Sequence, residues 1–336
     1  MKCSSKSNLR LMRPKAHRIL WITDPWETLD PAQDTTLRLA EEAHRAGIPQ
    51  SWCDVRSIRL ERSRVVLEAR ALLGTPEGRS RHAFRFGPPR TEKPEAFTSL
   101  HYRTDPPVDL AYLHPLQLLD LGLREAPHTE VVNPISVLLS HNEKFEAAAL
   151  QKKMPPSLVS SEEARLVAFG KQQRQTVLKP LHQAQSKDVH LLNWESPAKI
   201  RQAQALIRQL SHSGTTPVLL QAYLEDVLEG ELRLWFVDGE ILATVKKFPL
   251  PGDFKVDIDR GSRLGPAHLS RTQTQAAHTV GQYLKHHHIR LAAVDLIGAF
   301  ITDFNFTSPG LICLMEKTLQ TNLAKTLIER IYQLKS

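Results

Sequence analysis

Near the end of this 336-residue chain, two acidic residues and an amide stand inside otherwise apolar strand sequence. They limit what the chain can fold into more than any other feature. The segments are Val294-Asp295-Leu296-Ile297-Gly298 and Ile301-Thr302-Asp303-Phe304-Asn305-Phe306-Thr307-Ser308-Pro309. Strand residues two apart share a face, so Asp303 and Asn305 project together. A hairpin through Gly298 brings Asp295 beside them. Carboxylates flanked by Leu, Ile and Phe are costly to bury without partners. Two carboxylates and an amide oxygen form a hard, all-oxygen cluster, the donor type Mg²⁺ takes when it also holds nucleotide phosphates. The competing reading is a pair of solvent-facing polar strands.

The pattern around this hairpin divides in two. Arg18 to Thr23 reads as a buried strand halted by Asp24-Pro25, Thr35 to Ala46 as a helix stopped by Gly47, and Ser51 to Val55 as the next strand. That order predicts a parallel α/β unit. Arg64 to Leu73 reads as extended, and Gly74 to Pro94, rich in Pro, Gly and Arg, as a loop. Leu110 to Leu113 and Glu130 to Asn133 read as strands on either side of a Leu-rich helix from Pro115 to Leu123. The second half has more hairpins. Strands are predicted at Thr176 to Lys179, Val218 to Ala222, Glu231 to Val237 and Glu240 to Lys247, the last two joined by Asp238-Gly239. Helices are predicted at Ile200 to Leu210, at Gln275 to Leu284 and at the C-terminus, where Leu323, Leu327, Ile331 and Leu334 form one stripe. Leu291 to Ile297 and Ala299 to Asn305 form the hairpin described above.

Three cations are candidates for the same chemistry. Lys144 follows Asn142-Glu143, and Lys179 ends a strand. Each can act on phosphate as a mobile point charge, or be an ordinary surface lysine. Arg233 stands between Leu232 and Leu234, where an arginine needs a partner. It can stabilise charge on a transferring group, or form a salt bridge to Glu229 or Glu231.

Composition removes other classes. The length suits two or three packed units, since single cores stop growing at about 250–300 residues. The net charge of +8 gathers in the leader, residues 1–16, which reads as disordered, and in Arg79, Arg81, Arg85, Arg90 and Lys93. No groove-reading or base-stacking motif accompanies it, so solvated surface charge is preferred over nucleic-acid binding. The apolar run Ile19 to Ile22 is too short for a signal peptide, and no run reaches the ~20 residues of a membrane span. Cys3, Cys53 and Cys313 are too few and too dispersed for a disulfide framework or a zinc site, which fits a reducing cytosol.

One order of motifs joins these pieces: Asp24-Pro25, Arg103 through Asp109 (RTDPPVD), Asn133-Pro134, Asn142-Glu143-Lys144, Leu178-Lys179-Pro180-Leu181, Gln221-Ala222-Tyr223-Leu224, Gly230 through Arg233, Val237 through Glu240, and Asp295 through Pro309. From about Arg18 to Pro309 the chain resembles prokaryotic glutathione synthetase, of the ATP-grasp superfamily. The resemblance implies an α/β fold: an N-terminal parallel α/β (pre-ATP-grasp) domain over 17–138, then an ATP-grasp domain of two α+β subdomains over 139–336. It implies a cytoplasmic ATP-dependent ligase, working with ATP and Mg²⁺ (or Mn²⁺). Such a ligase joins γ-glutamylcysteine to glycine through an acyl phosphate, as a homo-oligomer without nucleic-acid or membrane partners. By position, Lys144 and Lys179 touch ATP phosphates, Gln221, Tyr223 and Leu224 line the adenine, and Glu231 faces the ribose. Asp295, Asp303 and Asn305 hold the metal, and Arg233 stabilises the acyl phosphate. Arg103, Asn305, Ser308 and Pro309 surround the peptide substrate.

The chain departs from that pattern in places. The family's glycine-rich turn after Lys-Pro-Leu is here His182 to Asp188, with no glycine. Glycines there let backbone N–H groups close over phosphate. Asp303 stands for a family glutamate, Lys247 and Lys255 for arginines, Asp257 for an asparagine, and Gly261-Ser262 for a Gly-Gly. Three functions therefore stay open: glutathione synthesis, ligation of another carboxylate–amine pair, and nucleotide binding without turnover.

Overall fold

The strand Ile19–Thr23 (β1) is buried along its whole length, because its neighbours cover both edges and both faces. In the computed structural model, which describes residues 17–75, 83–124, 126, 128–184, 186–258 and 260–334, β1 pairs in parallel with Gln50–Asp54 (β2). The leader 1–16, Arg79, Arg81 and Gln185 lie outside the described residues. The helix Thr35–Arg45 (α1) makes the crossover, capped by Asp34, whose carboxylate accepts from the N–H of Leu37. This is the predicted βαβ unit.

The first sheet continues with Arg59–Glu61 (β3), Arg64–Gly74 (β4), Arg85–Glu92 (β5), Ser99–Tyr102 (β6) and Glu130–Val132 (β7). Its order is β3-β4-β2-β1-β6-β7, with β5 also on β4. Two expectations are corrected here. Residues 85–92 are not loop but strand: β5 pairs antiparallel with β4 despite Pro88 and Pro89, which an edge position tolerates. Leu110–Leu113 is not strand but the first turn of a helix, Leu110–Leu123 (α2). The Asp109 carboxylate accepts the N–H groups of Ala111 and Tyr112 and starts that helix. The strand β6 and the short helix Ile135–Ser140 (α3) were not predicted; the expected junction at 138/139 falls inside α3.

The second sheet has order β10-β9-β11-β8, from Ser157–Ser160 (β8), Gln175–Pro180 (β9), His190–Asn193 (β10) and Val218–Ala222 (β11). Helices Glu163–Gln173 (α4) and Pro197–Leu210 (α5) cover one face, around a small core of Leu166, Leu178, Trp194, Ile207 and Leu220. The third sheet, order β14-β13-β12-β15-β16, contains Glu231–Val237 (β12), Glu240–Phe248 (β13), Arg263–Pro266 (β14), Leu291–Ile297 (β15) and Phe300–Asn305 (β16). Arg271–His286 (α6), Ile312–Leu319 (α7) and Leu323–Tyr332 (α8) pack around it. Both predicted hairpins are present.

The first and third sheets share their cores. Leu20, Ile22 and Tyr102 join one cluster with Leu232, Leu234, Val294 and Leu296, while Trp21 and Leu37 join another with Trp235, Leu291 and Leu327. Each fully buried Leu, Val or Phe contributes about 1.5–3 kcal/mol, so the two sheets are held as one body.

Candidate active site

The register of the third sheet builds most of the site. Glu231 lies opposite Lys247, Arg233 opposite Asp295, and Asp295 opposite Asp303. Alternation along β12 sends Leu232 and Leu234 into the core and turns Glu231 and Arg233 the other way. A row of charges therefore crosses four strands on one face.

These charges are paired. Arg233 donates to both oxygens of Asp295, Nε at 2.8 Å and Nη2 at 2.6 Å. The expected partners Glu229 and Glu231 are thus corrected: the directly opposed cross-strand residue takes the guanidinium. Lys247 Nζ lies 2.7 Å from Glu231 and 3.1 Å from Asp295. Burial opposes the charge of Asp295, but Arg233 and Lys247 outweigh it and hold the carboxyl well below the usual carboxylate range. Asn305 donates its amide to the Ala293 carbonyl at 3.0 Å, which leaves Oδ1 for an incoming ligand.

Lys144 arrives from outside the sheet. Its Nζ donates to Asp303 at 2.7 Å. Burial works against this ammonium, and Asp303 raises its pKa above the ordinary lysine value. The neighbouring Glu143 fixes the dipeptide: its Oε1 accepts from the N–H groups of Phe306 and Thr307 and from the Thr307 hydroxyl. Its carbonyl accepts from the N–H of Phe304.

Two further cations, one half-buried and one buried, make their hydrogen bonds among the described residues to neutral oxygens. Lys179, at the end of β9, donates to Gln221 Oε1 and the Thr302 carbonyl, and burial pulls its pKa down. Arg103, after β6, donates from Nε to Thr36 Oγ1 at 3.0 Å and from Nη2 to the Pro309 carbonyl at 2.9 Å. Burial lowers its pKa as well.

All these groups meet in a cavity of about 490 Å³ between the three sheets. Lys144, Lys179, Gln221, Tyr223, Leu224, Glu231, Arg233, Asp295, Asp303, Asn305, Arg103 and Ser308 all line it. Of the residues proposed from sequence, Pro309 alone is not in the lining; its carbonyl orients Arg103 instead. The cavity also takes in Glu143, Asp34 and Lys247, which were not selected. Lys247 had a legible signal in the Asp238-Gly239 hairpin. Counting outward from that turn, however, pairs Glu231 with Lys246. A bulge between Trp235 and Phe236 shifts the register by one and brings Lys247 to the site.

The donor set fits a hard cation. Asp303 Oδ1 is buried with no hydrogen-bond partner among the described residues. Among the described residues no three His, Cys, Asp or Glu side chains form a metal cage. A site of two carboxylates and an amide, completed by phosphate and water oxygens, is how Mg²⁺ is usually held.

Known proteins share this architecture. Residues 18–138 match the family model for the prokaryotic glutathione synthetase N-terminal domain, and residues 143–320 match that for the prokaryotic glutathione synthetase ATP-grasp domain. A glutathione synthetase of Parasynechococcus marenigrum is 31% identical over 317 residues, covering 94% of this chain and 99% of the relative. Another, from Ralstonia nicotianae, is 26% identical over 317 residues, covering 94% and 95%. Among solved structures, D-cycloserine synthetase DcsG superposes with a TM-score of 0.61 at 19% identity, covering 93% of this chain and 99% of that one. The ATP-grasp ligase PsnB, complexed with a precursor variant, Mg and ADP, gives 0.63 at 15%, covering 95% and 99%. At such identities the two structures speak for the fold.

Proposed function

The chain belongs to the prokaryotic glutathione synthetase family of ATP-dependent, Mg²⁺-using ligases, and on that premise we propose that it joins γ-glutamylcysteine to glycine in the cavity between its three sheets. The observation that carries the reading is the pairing of a metal-type carboxylate end with two cations, the half-buried Lys179 and the buried Arg103, whose hydrogen bonds among the described residues go to neutral oxygens. Desolvating a cation whose hydrogen bonds go to neutral groups is costly, and an anion bound beside it offsets that cost. Lys179 suits a phosphate, and Arg103 suits a carboxylate of the peptide substrate, with Ser308 and the Pro309 carbonyl beside it.

ATP supplies the phosphoryl group that activates the donor carboxylate for attack by the amine. Asp295, Asp303 and the free Oδ1 of Asn305 would hold Mg²⁺ or Mn²⁺, which neutralises phosphate charge. The protein's part is positioning and electrostatics. Lys144 and Lys179 oppose phosphate charge. Arg233, aligned by both oxygens of Asp295, faces the charge that develops on the transferring group. Gln221, Tyr223 and Leu224 form the wall assigned to adenine. Glu231, held by Lys247 and Thr302, is assigned to the ribose. By family likeness the enzyme works in the cytosol as a homo-oligomer. No helix among the described residues is long and apolar enough to cross a membrane.

A second reading is ligation of another carboxylate–amine pair. It is favoured by Lys255 and Asp257, which line the cavity where the family pattern has arginine and asparagine. One assay separates the two. The full chain is incubated with ATP, Mg²⁺, γ-glutamylcysteine and glycine, and phosphate release and tripeptide are measured. Tripeptide is expected, falling by about 10²-fold or more in Asp295→Asn. Phosphate release only with other substrates supports the second reading. Nucleotide binding without phosphate release from any pair would leave a binding protein without turnover.

A further inference from the structure

Each carboxylate at the metal-type end already carries a cation. Asp295 takes Arg233 and Lys247, Asp303 takes Lys144, and Glu231 takes Lys247. Three negative charges face three positive ones, and their side chains are between 4% and 21% exposed. Lys247 is the cation that bridges two acids, Glu231 across its own hairpin and Asp295 one strand further. An ammonium is a compact point charge on a flexible stem, unlike the fixed fork of Arg233. It can release one acid and keep the other.

A divalent ion can reach Asp303 through Oδ1, which Lys144 leaves free, but both oxygens of Asp295 are taken, and to reach Oδ2 it must move Lys247. Arriving alone, it would put two more positive charges beside an ammonium that has just lost one of its two counter-ions. Uncompensated buried charge is the expensive outcome of breaking a buried pair. Nucleotide phosphate in the same cavity supplies the missing negative charge. We infer that Lys247 is a positioning residue, a placeholder cation that reserves Asp295 for a metal arriving together with nucleotide. A divalent ion then binds tightly only in nucleotide's company. The inference rests on the reading that Asp295 and Asp303 hold the metal.

The test is direct Mn²⁺ binding, read by electron paramagnetic resonance on the full chain, with and without a non-hydrolysable ATP analogue. The expected dissociation constant is at least tenfold weaker without the analogue. Lys247→Met should narrow that gap severalfold by tightening nucleotide-free binding, while Lys247→Arg should preserve it. Should Lys247→Met fail to fold, Lys247→Gln takes its place. Equal Mn²⁺ affinity in both conditions, or a gap unchanged in the neutral variant, overturns the placeholder role and leaves the metal assignment standing. Mn²⁺ that binds in neither condition overturns both.

Discussion

His101 is completely buried, with Nε2 2.7 Å from the Tyr332 hydroxyl and Nδ1 without a partner among the described residues. Burial first, then repulsion from Arg103 and Arg290, pulls its pKa down to about 3. An unfolded histidine titrates near 6.5. Between these values the unfolded chain binds a proton that the native chain refuses, so this contribution is full above about pH 6.5 and is lost as pH falls toward 3. Its ceiling is on the order of 5 kcal/mol, from 1.36 kcal/mol per pKa unit. Asp34 pulls the other way. Its carboxyl is pushed up to about 6, chiefly by burial, so stability falls as pH rises through about 4 to 6. Comparing wild type with His101→Gln cancels Asp34. Denaturant melts at pH 7.5 and pH 5 should show the larger acid loss in wild type; equal losses would sink the account. In the active site, Arg233→Met leaves Asp295 buried with Lys247 alone, and should cost about 3–5 kcal/mol in the same melts. At this scale the sequence was informative about charge and poor about partners. Arg233 was conspicuous because it interrupts apolar residues, yet its partner lies 62 positions away, on a strand whose pairing no local pattern specifies.

The elements were legible where hydrophobic period and turn chemistry agreed, as in the hairpins through Asp238-Gly239 and Gly298. They were not legible where one cue contradicted the fold. Pro88 and Pro89 argue for loop, yet Pro89 sits opposite Arg70 at the sheet edge, where a missing N–H costs nothing to an outer neighbour. Pro115 argued for a helix starting there. The Asp109 cap instead starts α2 five residues earlier, and the proline forgoes only one backbone bond to Ala111. Gly281 was hidden inside a helical pattern. A Cβ there would come within 2.3 Å of the Gly239 carbonyl, in the turn between β12 and β13, where Gly239 itself has φ of +73°. Backbone cannot yield as a flexible side chain does, so α6 and the hairpin would have to separate. Gly281→Ala should therefore destabilise by about 1–3 kcal/mol, although alanine is the better helix former. Unchanged or increased stability in thermal melts would show that the helix slides freely on the turn.

For the whole molecule, the cavity exists only if the sheets keep their places, and Asn133 is where the first is tied to the third. Its Nδ2 donates to the carbonyls of Leu291 and Phe306, both at 2.7 Å. Its Oδ1 accepts from the N–H groups of Arg290 and Leu291, both at 2.9 Å. One side chain thus pins the end of β7 to the start of β15 and to the residue following β16, beside the strands that carry Asp295, Asp303 and Asn305. From sequence, Asn133-Pro134 is only a turn signal, because its partners lie 157 to 173 positions away. Asn133→Ala removes all four bonds and leaves buried backbone groups unsatisfied, each at about 1–3 kcal/mol where water cannot reach. The loss should be at least about 3 kcal/mol. It should also reach the ligand. A ligand binding only the folded chain at about 100 times its dissociation constant adds about 2.7 kcal/mol. If Asn133 aligns the metal-bearing strands, then Mg²⁺ and ATP at concentrations saturating for wild type should stabilise Asn133→Ala by clearly less than wild type. If it only adds stability, the ligand increment should be the same in both. Thermal melts of the two proteins, each with and without nucleotide and metal, decide between alignment and mere adhesion.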